Sequence, residues 1–459
     1  MAPPDRSWTI TPTIAWFVGT LVVALLVFDG GVGALADRLT RKRPTAAAPA
    51  GPTFAAPRPG PVVADTSDAK PVTAAALHLQ VKAPHLEDTC VDGTPTACKR
   101  WAMDAFYHAV EATKSGTLGR AMRVSWYGDS VIATDEIPGR LRARLQKELG
   151  DGGPGFVFLV APHRYCGHEA ITLDSSSDWT SHAISTTLVA DGLYGVGGST
   201  ADSDDGRVRI KLNKGTATNV ELYYLAQPHG GTITIAGDGS ELLHAETKGD
   251  KQPGFAAATT AGVHEVKLTS TGHVRVFGLD LENARGAVVD NLGIVSVNVK
   301  SLANNEPAHF AAQLAHRGAD LVMIMIGANE AQWLHPGDRD TKDYQAHYEK
   351  VLAPIRLGRP EASCLVVSPL DQAEEKDGEY PSRPIMPVLV AAQRAAALAQ
   401  GCAFYSTYEW MNGRGSAAEW FRKGLVGTDF QHLSPRGANL MADAVFDALM
   451  SGAHQHATH

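Results

Sequence analysis

The stretch Val124-Ser125-Trp126-Tyr127-Gly128-Asp129-Ser130 combines a short apolar run with a Gly-Asp-Ser tripeptide, and a helical pattern follows at residues 137–149. A strand, a tight turn and a helix in this order set a serine hydroxyl at a helix N-terminus, at the edge of a sheet. Gly128 permits the sharp turn, and Asp129 can hold it with side-chain hydrogen bonds. Because Gly-Asp-Ser is also ordinary turn chemistry, its interpretation depends on the rest of the chain.

On both sides of residues 166–285, the chain alternates between strand-like and helical segments. Residues 321–326 are continuously apolar, which is typical of a strand buried on both faces. Other strands are predicted to end near Gly293 and to occupy residues 364–368 and 402–405. Helices are predicted at residues 101–113, 308–316, 344–355, 385–400 and 434–450. This alternation predicts an α/β fold of three layers, in which helices cover both faces of a parallel sheet.

Residues 166–285 have a different texture, with more Gly, Thr and Ser and no helical periodicity. Short runs of alternating apolar and polar residues occur at 208–212, 220–224, 232–235, 263–268 and 274–279. They predict an inserted antiparallel β-sandwich or jelly roll, which is a possible carbohydrate-binding module. Its aromatic residues are suited to sugar stacking, but in a β module such residues more often form the core. They are Trp179, Tyr194, Tyr223 and Tyr224.

The N-terminal region predicts a membrane anchor or an export signal. Residues 7–28 carry no charge and are long enough to cross a membrane, whereas Ala34-Leu35-Ala36 resembles a signal-cleavage site. The basic flank after this segment argues for a cytoplasmic C-terminal part, but a large exported domain can override that rule. The anchored, exported arrangement is therefore expected, with an extracytoplasmic (periplasmic) catalytic domain, or secretion if the segment is cleaved. Residues 44–75 are an Ala/Pro-rich linker.

The predicted organisation follows from these boundaries. Residues 1–43 form the anchor or signal with its basic flank, 76–165 and 286–450 the two parts of the α/β domain, and 451–459 an unstructured His-rich tail. A net charge of −8, from 41 basic and 49 acidic residues, argues against nucleic-acid binding. Of the five cysteines, Cys90 can pair with Cys98 and Cys364 with Cys402 in an oxidising compartment. Buried free thiols are the alternative for the second pair.

Polar residues follow three of the predicted strands and precede the last helix. A serine nucleophile needs a base, and the base needs an acceptor that orients it. Asp429 and His432, three residues apart, can supply both to Ser130. The backbone N–H groups of Ser130 and Gly293, with the side-chain amide of Asn329, are candidate donors to an oxyanion. Each of these residues has a mundane explanation in isolation, as a cap or a turn residue, and only the set predicts catalysis.

This set resembles the SGNH (GDSL-like) hydrolase family. The resemblance covers about residues 120–165 and 286–450 and falls on Ser130 in Gly-Asp-Ser, Gly293, Asn329 in Gly-Ala-Asn-Glu, and the pair Asp429 and His432. One departure is Gly-Ala-Asn-Glu, where Gly-x-Asn-Asp is commoner in the family. The β-rich insertion resembles that of the family's peptidoglycan O-acetylesterases. The resemblance implies a Ser-His-Asp esterase that acts on O-acylated cell-envelope polysaccharide without a metal or organic cofactor.

Three other functions remain compatible with the same residues. The site can serve an O-acetyltransferase in which a sugar hydroxyl replaces water as the acceptor. A non-catalytic protein that binds envelope glycans is the second alternative, and the presence of all five residues argues against it. The third is a lipase or thioesterase for long acyl chains, but the sequence contains no evident apolar lid.

Overall fold

The computed structural model describes residues 73–456, with side chains as far as Ala453. The apolar segment at 7–28 and nearly all of the linker lie outside the described residues. The strands are β1 (Leu86–Glu87), β2 (Cys90–Thr94), β3 (Ala97–Trp101), β4 (Met122–Gly128), β5 (Gly155–Val157), β6 (Ile171–Ser175), β7 (Thr180–Ala183), β8 (Ser199–Ser203), β9 (Arg207–Leu212), β10 (Ala217–Ala226), β11 (Thr232–Gly237), β12 (Ser240–Glu246), β13 (Gln252–Val263), β14 (Glu265–Thr271), β15 (Val274–Glu282), β16 (Ala287–Gly293), β17 (Leu321–Met325), β18 (Ser363–Val367) and β19 (Ala403–Tyr405).

The helices lie mostly outside the region between β5 and β16. They are α1 (Asp104–Lys114), α2 (Ser130–Ala133), α3 (Glu136–Leu149), α4 (Val299–Leu302), α5 (Pro307–Arg317), α6 (Arg339–Gly358), α7 (Met386–Ala399), α8 (Thr407–Trp410), α9 (Ser416–Arg422) and α10 (Pro435–His456). A single 3₁₀ turn, Glu330–Gln332, follows β17. No helix of the described residues is long and apolar enough to span a membrane.

A six-stranded sheet has the order β1-β19-β18-β17-β4-β16. All of its neighbouring strands are parallel except β1, which pairs antiparallel with β19. Every residue of β17 and β18 is buried, because both faces of these central strands are covered. The predicted parallel α/β sheet is confirmed. The strand β4 ends at Gly128, and Asp129 and Ser130 follow it.

Side chains that alternate along the central strands form two apolar cores, one on each face of the sheet. On one face Met323 packs with Leu141 of α3 and Met441 of α10. On the other face Ile324 packs with residues such as Phe310 of α5 and Leu352 of α6. The period of two along a strand sends neighbouring residues to opposite layers, so the sheet is sandwiched between helices.

Two antiparallel sheets are built between the two parts of this α/β domain. One has the order β13-β10-β15-β8-β7, and the other has the order β12-β11-β14-β9-β6. A separate apolar core joins them, with Ile210, Leu222 and Ile235 among its members. The strand β5 pairs with β15, so this antiparallel region recruits residues before the boundary predicted at 166. Extra antiparallel sheets beside the parallel sheet agree with the predicted insertion.

Three details differ from the sequence-based expectations or complete them. Helix α1 begins at Asp104, because Trp101 is the last residue of β3 and pairs with Cys90. The last helix continues to His456, so the expectation of an unstructured tail from residue 451 is wrong for residues 451–456. Both predicted disulfides, Cys90–Cys98 and Cys364–Cys402, are present.

A buried ion network joins the parallel sheet to the antiparallel region. The guanidinium of Arg317, which is fully buried, contacts Asp290 of β16 at 2.7 and 2.8 Å. It also contacts Glu282 and Asp280 of β15 at 2.6 and 3.1 Å. Burial raises the pKa of Asp280 to about 8. Burial also acts on Asp290, but Arg317 outweighs it and lowers the pKa of that carboxyl.

Replacing Arg317 with methionine should destabilise the protein by about 3–5 kcal/mol, because it leaves buried carboxylates without a counter-charge. Urea unfolding of the purified variant measures this as a lower midpoint. The matched control is Arg209→Met, which breaks the exposed pair with Glu265 and should change the midpoint little. Equal midpoints for the two variants would show that the buried network contributes no stability of its own.

Candidate active site

The turn that carries Ser130 is shaped by close packing against the sheet. Ser130 is the first residue of α2, and the buried Asp129 caps the helix by accepting a hydrogen bond from the Val131 N–H at 3.0 Å. A Cβ atom at Gly128 would lie 2.3 Å from Cγ1 of Ile132, so only glycine lets α2 fold back this tightly. The predicted roles of Gly128 and Asp129 in the turn agree with this geometry. As the first helical residue, Ser130 has an N–H with no partner inside the helix.

The structure brings Ser130, His432 and Asp429 together in one hydrogen-bonded chain. Ser130 Oγ and His432 Nε2 lie 2.7 Å apart, although 302 residues separate them in the sequence. His432 Nδ1 lies 2.7 Å from Oδ2 of Asp429. The other carboxylate oxygen of Asp429 accepts the backbone N–H groups of Gln431 and His432, each at 3.0 Å. These bonds fix the imidazole so that Nε2 faces the serine hydroxyl.

The charges around the imidazole favour its protonated form. Burial lowers the pKa of His432, but the hydrogen bond and the negative charge of Asp429 outweigh it, and Asp129 and Glu136 add to the effect. The net result is a pKa above the ordinary value of 6.5. Burial also acts on Asp429, yet its hydrogen bonds from His432 hold the pKa of that carboxyl below its ordinary value. The raised pKa of His432 and the lowered pKa of Asp429 together describe an imidazole that accepts a proton readily beside an ionised carboxylate.

Asn329 follows the end of β17 and reaches the turn after β16. Its side-chain Nδ2 donates to the carbonyl of Val297 at 2.8 Å, which leaves its second N–H available. The next residue, Glu330, is buried and accepts the Val299 N–H at 2.8 Å. Burial raises the pKa of Glu330 to about 7. Glu330 therefore ties the turn after β17 to the segment after β16.

Gly293, a predicted oxyanion donor, has an N–H that already makes a hydrogen bond. This N–H donates to Oδ1 of Asn291 at 3.0 Å. A Cβ atom here would lie 2.4 Å from the backbone nitrogen of Ala133, so this glycine allows α2 to pack directly on the end of β16. The structure thus gives Gly293 a packing function, and its role as an oxyanion donor stays a prediction.

Ser296 is a residue of this turn that the sequence reasoning missed. Its φ of 65° lies in the left-handed region, which a non-glycine residue occupies only at a cost. Its N–H has no hydrogen-bond partner among the residues described, and the following residue, Val297, accepts the Asn329 amide. Ser296 is thus a candidate donor in the place expected for Gly293. Strain at a serine gives no signal in the sequence.

A glutamine cluster, also missed, connects the two loops of the site. Nε2 of Gln332, in the turn after Asn329, lies 2.6 Å from Oε1 of Gln372 and 3.2 Å from Oε1 of Gln431. The amide of Gln372 donates to the Ala328 carbonyl at 3.0 Å. Because Gln431 immediately precedes His432, the cluster holds the Asn329 turn and the histidine loop in fixed relative positions.

Phe430 lies between Asp429 and His432, in the loop before α10, and has a left-handed backbone with a φ of 54°. This conformation costs about 1–2 kcal/mol for an L-residue. The ring is buried against Tyr380 and Phe421, at centroid distances of 5.0 and 4.7 Å. This packing offsets the strain and keeps Asp429 and His432 facing each other.

No metal site competes with this arrangement in the described region. Among residues 73–456, no group of three or more His, Cys, Asp or Glu side chains is placed to hold a metal ion.

Comparisons with known proteins bear on the fold and the family. Residues 259–440 match the GDSL-like lipase/acylhydrolase family, a span that contains Asn329, Asp429 and His432 but not Ser130. No curated protein matches the sequence. A structure of a peptidoglycan O-acetylesterase has 23% sequence identity and a TM-score of 0.67, over 76% of this chain and 96% of that chain.

Two further structures show much weaker similarity. A mutant acetylxylan esterase from Geobacillus stearothermophilus has 21% identity and a TM-score of 0.27, over 36% of this chain and 73% of that chain. An active-site mutant of a family two carbohydrate esterase from Clostridium thermocellum has 10% identity and a TM-score of 0.26, over 60% and 98%. The family match over residues 259–440, and the parallel sheet with the serine turn after a strand end, make this chain similar to hydrolases of the GDSL-like (SGNH) family.

Proposed function

We propose that this protein is an exported serine esterase that removes O-acetyl or other short acyl groups from a cell-envelope polysaccharide such as peptidoglycan. The observation that carries the proposal is the chain of two 2.7 Å contacts from Ser130 through His432 to Asp429. A hydroxyl, an imidazole and a carboxylate in this order are the parts of a nucleophile with its base and orienting acid.

The proposed reaction proceeds in two steps. Ser130 Oγ attacks the ester carbonyl while His432 takes the hydroxyl proton, and the oxyanion receives hydrogen bonds from the Ser130 N–H and the free N–H of Asn329. The Ser296 N–H is the third proposed donor. The bond to the sugar oxygen then breaks, and His432 gives that oxygen its proton. In the second step water attacks the acyl-enzyme with His432 as base, which releases the carboxylic acid and restores Ser130.

Two observations support a short acyl ester of a carbohydrate, hydrolysed by water. One solved structure with a similar fold is that of a peptidoglycan O-acetylesterase. The side chains of His432 and Asp429 are 40% and 33% exposed, so water has access to the base. Transfer to a sugar acceptor requires water to be excluded during the lifetime of the acyl-enzyme. Hydrolysis is therefore favoured over O-acetyl transfer.

An oxidising, extracytoplasmic location is part of the proposal. Two disulfides in one chain fit export better than the reducing cytosol. The apolar segment at residues 7–28 provides the proposed anchor, and residues 44–75 the spacer. Protease added to intact spheroplasts should digest the C-terminal domain of the full chain. Protection of that domain until the membrane is lysed would contradict the export proposal.

The function is tested with purified protein and two acetyl esters, a small chromogenic ester and soluble O-acetylated glycan oligomers. Acetate release from both is expected, and a serine-directed covalent inhibitor should label Ser130. Transfer of the acetyl group to added glycan in preference to water would instead establish the transferase. An absence of turnover and of labelling would leave the non-catalytic glycan-binding alternative.

Replacing Asn329 with alanine should lower kcat by about 10²- to 10³-fold and leave KM nearly unchanged, because the lost donor acts mainly on the developing oxyanion. Steady-state kinetics with the small acetyl ester measures this. Asn213→Ala is the control, since this exposed asparagine bonds only within the antiparallel region. A variant at position 329 with a normal kcat would remove Asn329 from the proposed oxyanion site.

A further inference from the structure

Three of the four aromatic residues that the sequence of the antiparallel region offered for sugar stacking are buried, and the fourth, Tyr224, is partly buried. Trp179, Tyr194 and Tyr223 are buried, with Trp179 in the core between the two sheets. Tyr223 packs edge-on against Phe156 and Phe255, and its hydroxyl donates a hydrogen bond to Asp280. These rings stabilise the fold, and none of them offers an open face to a glycan.

An exposed tryptophan lies instead beside the candidate active site. Trp333 ends the 3₁₀ turn that begins directly after Asn329, and it is 41% exposed. The ammonium of Lys300 lies over its ring, 5.5 Å from the centroid. Lys300 also pairs with Asp340 at 3.0 Å. The ring is therefore reachable from solvent and bordered by groups that can donate to and accept from hydroxyls.

The position of Trp333 is fixed relative to the histidine. Its N–H donates to the Glu330 carbonyl at 3.1 Å, and Glu330 is tied to the segment after β16. The preceding residue, Gln332, contacts Gln431 next to His432. A flat apolar surface held on the same turn as the oxyanion donor is pre-organised for a substrate that extends from the catalytic serine.

We propose that Trp333 is the stacking platform for a pyranose ring of the substrate, next to the residue that carries the ester. The face of an indole ring is electron-rich, and the axial C–H groups of a pyranose form a complementary apolar surface. The Lys300 ammonium lies over one face of the ring and pairs with Asp340, so the pyranose would pack on the other face. This inference rests on the proposed function, and it names a glycan-binding subsite in the hydrolase domain rather than in the antiparallel region.

The test compares Trp333→Ala with Trp101→Ala on two substrates. Trp101 is a matched control because it is 37% exposed but belongs to β3, in the hairpin of the Cys90–Cys98 disulfide. With soluble O-acetylated glycan oligomers, Trp333→Ala should raise KM roughly tenfold, which corresponds to about 1.4 kcal/mol. With the small chromogenic ester it should match the unaltered protein. Trp333→Phe should retain part of the glycan affinity, because it keeps an aromatic face.

A binding measurement separates failure of this inference from failure of the proposed function. In a Ser130→Ala background, binding should raise the fluorescence anisotropy of glycan oligomers that carry a fluorescent label, and the added Trp333→Ala change should weaken this binding by a similar factor. An unchanged glycan KM and unchanged binding in the Trp333 variant would overturn the platform. Loss of small-ester turnover in the unaltered protein would overturn the esterase proposal, and the fluorescence titration would still decide the platform.

Discussion

Replacing Ser130 with alanine should reduce the turnover of an acetyl ester by about 10⁴- to 10⁶-fold. The substitution removes the only proposed nucleophile, and what remains is the activity of water held near the oxyanion donors. The Ser130 hydroxyl contacts His432 Nε2. The turn itself is held by the Asp129 cap and by the close packing at Gly128. The thermal midpoint should therefore stay close to that of the unaltered protein.

Steady-state assays and thermal melting, measured on the same preparation, test this result. Ser115→Ala is the control, since Ser115 is an exposed residue after α1 and bonds only to its neighbours. Its activity should be unchanged. A Ser130→Ala variant that is folded and still turns over the ester at the original rate would contradict the proposed mechanism and favour a binding protein.

Replacing Asp429 with asparagine should lower kcat/KM by about 10³- to 10⁴-fold. Asparagine has no negative charge to strengthen the hydrogen bond from the Nδ1–H group of His432. The imidazole therefore loses the tautomer and orientation that direct Nε2 to Ser130. The backbone N–H groups of Gln431 and His432 also lose a carboxylate acceptor. The loss is smaller than for Ser130, because the nucleophile and the base both remain.

The pH dependence of kcat/KM provides a second readout of this variant. Catalysis needs neutral His432, so activity should rise with pH through the pKa of the free enzyme's imidazole. Asp429 raises that pKa above 6.5, so the midpoint of the rise should lie above 6.5 in the unaltered protein. Without that carboxylate, burial lowers the pKa, and the midpoint should move to lower pH while the maximum falls.

The exposed carboxylate of Asp205 supplies the control, because Asp205 lies in the antiparallel region and its side chain pairs with Arg207. Its profile should coincide with that of the unaltered protein. An Asp429→Asn profile with an unchanged midpoint would show that this carboxylate does not set the protonation of His432.

The elements of the α/β domain could be predicted because their signals are local. A continuously apolar run such as Leu321–Met325 has few alternatives to a central strand, and the helices around it follow a period that the sequence displays. The pair of Asp429 and His432 could be predicted for the same reason, since three residues within one loop bring the two side chains face to face. Ser130 could be proposed as their partner because the strand, turn and helix pattern around it is also local, and the likeness to the SGNH family agreed with that choice.

The direction of individual backbone N–H groups could not be predicted in this way. Gly293 was expected to donate to an oxyanion, but its N–H bonds to Asn291, and the next N–H, that of Ile294, bonds to Gly128 in the neighbouring strand. Which N–H remains free depends on the register between β16 and β4 and on the turn that follows. The left-handed backbone of Ser296 is set by that turn, and no sequence motif indicates it.

The chain's residue pattern alone establishes an α/β domain interrupted by antiparallel strands, and it names the serine, histidine and aspartate of the site, because periodicity and short spacings are properties of neighbouring residues. Tertiary structure decides how those groups are held, through the glutamine cluster and the packing of Phe430 on Tyr380. It also decides that Trp333 is exposed, whereas Trp179 and Tyr223 are buried. These features join segments up to about a hundred residues apart, and burial depends on which surfaces the folded chain brings into contact.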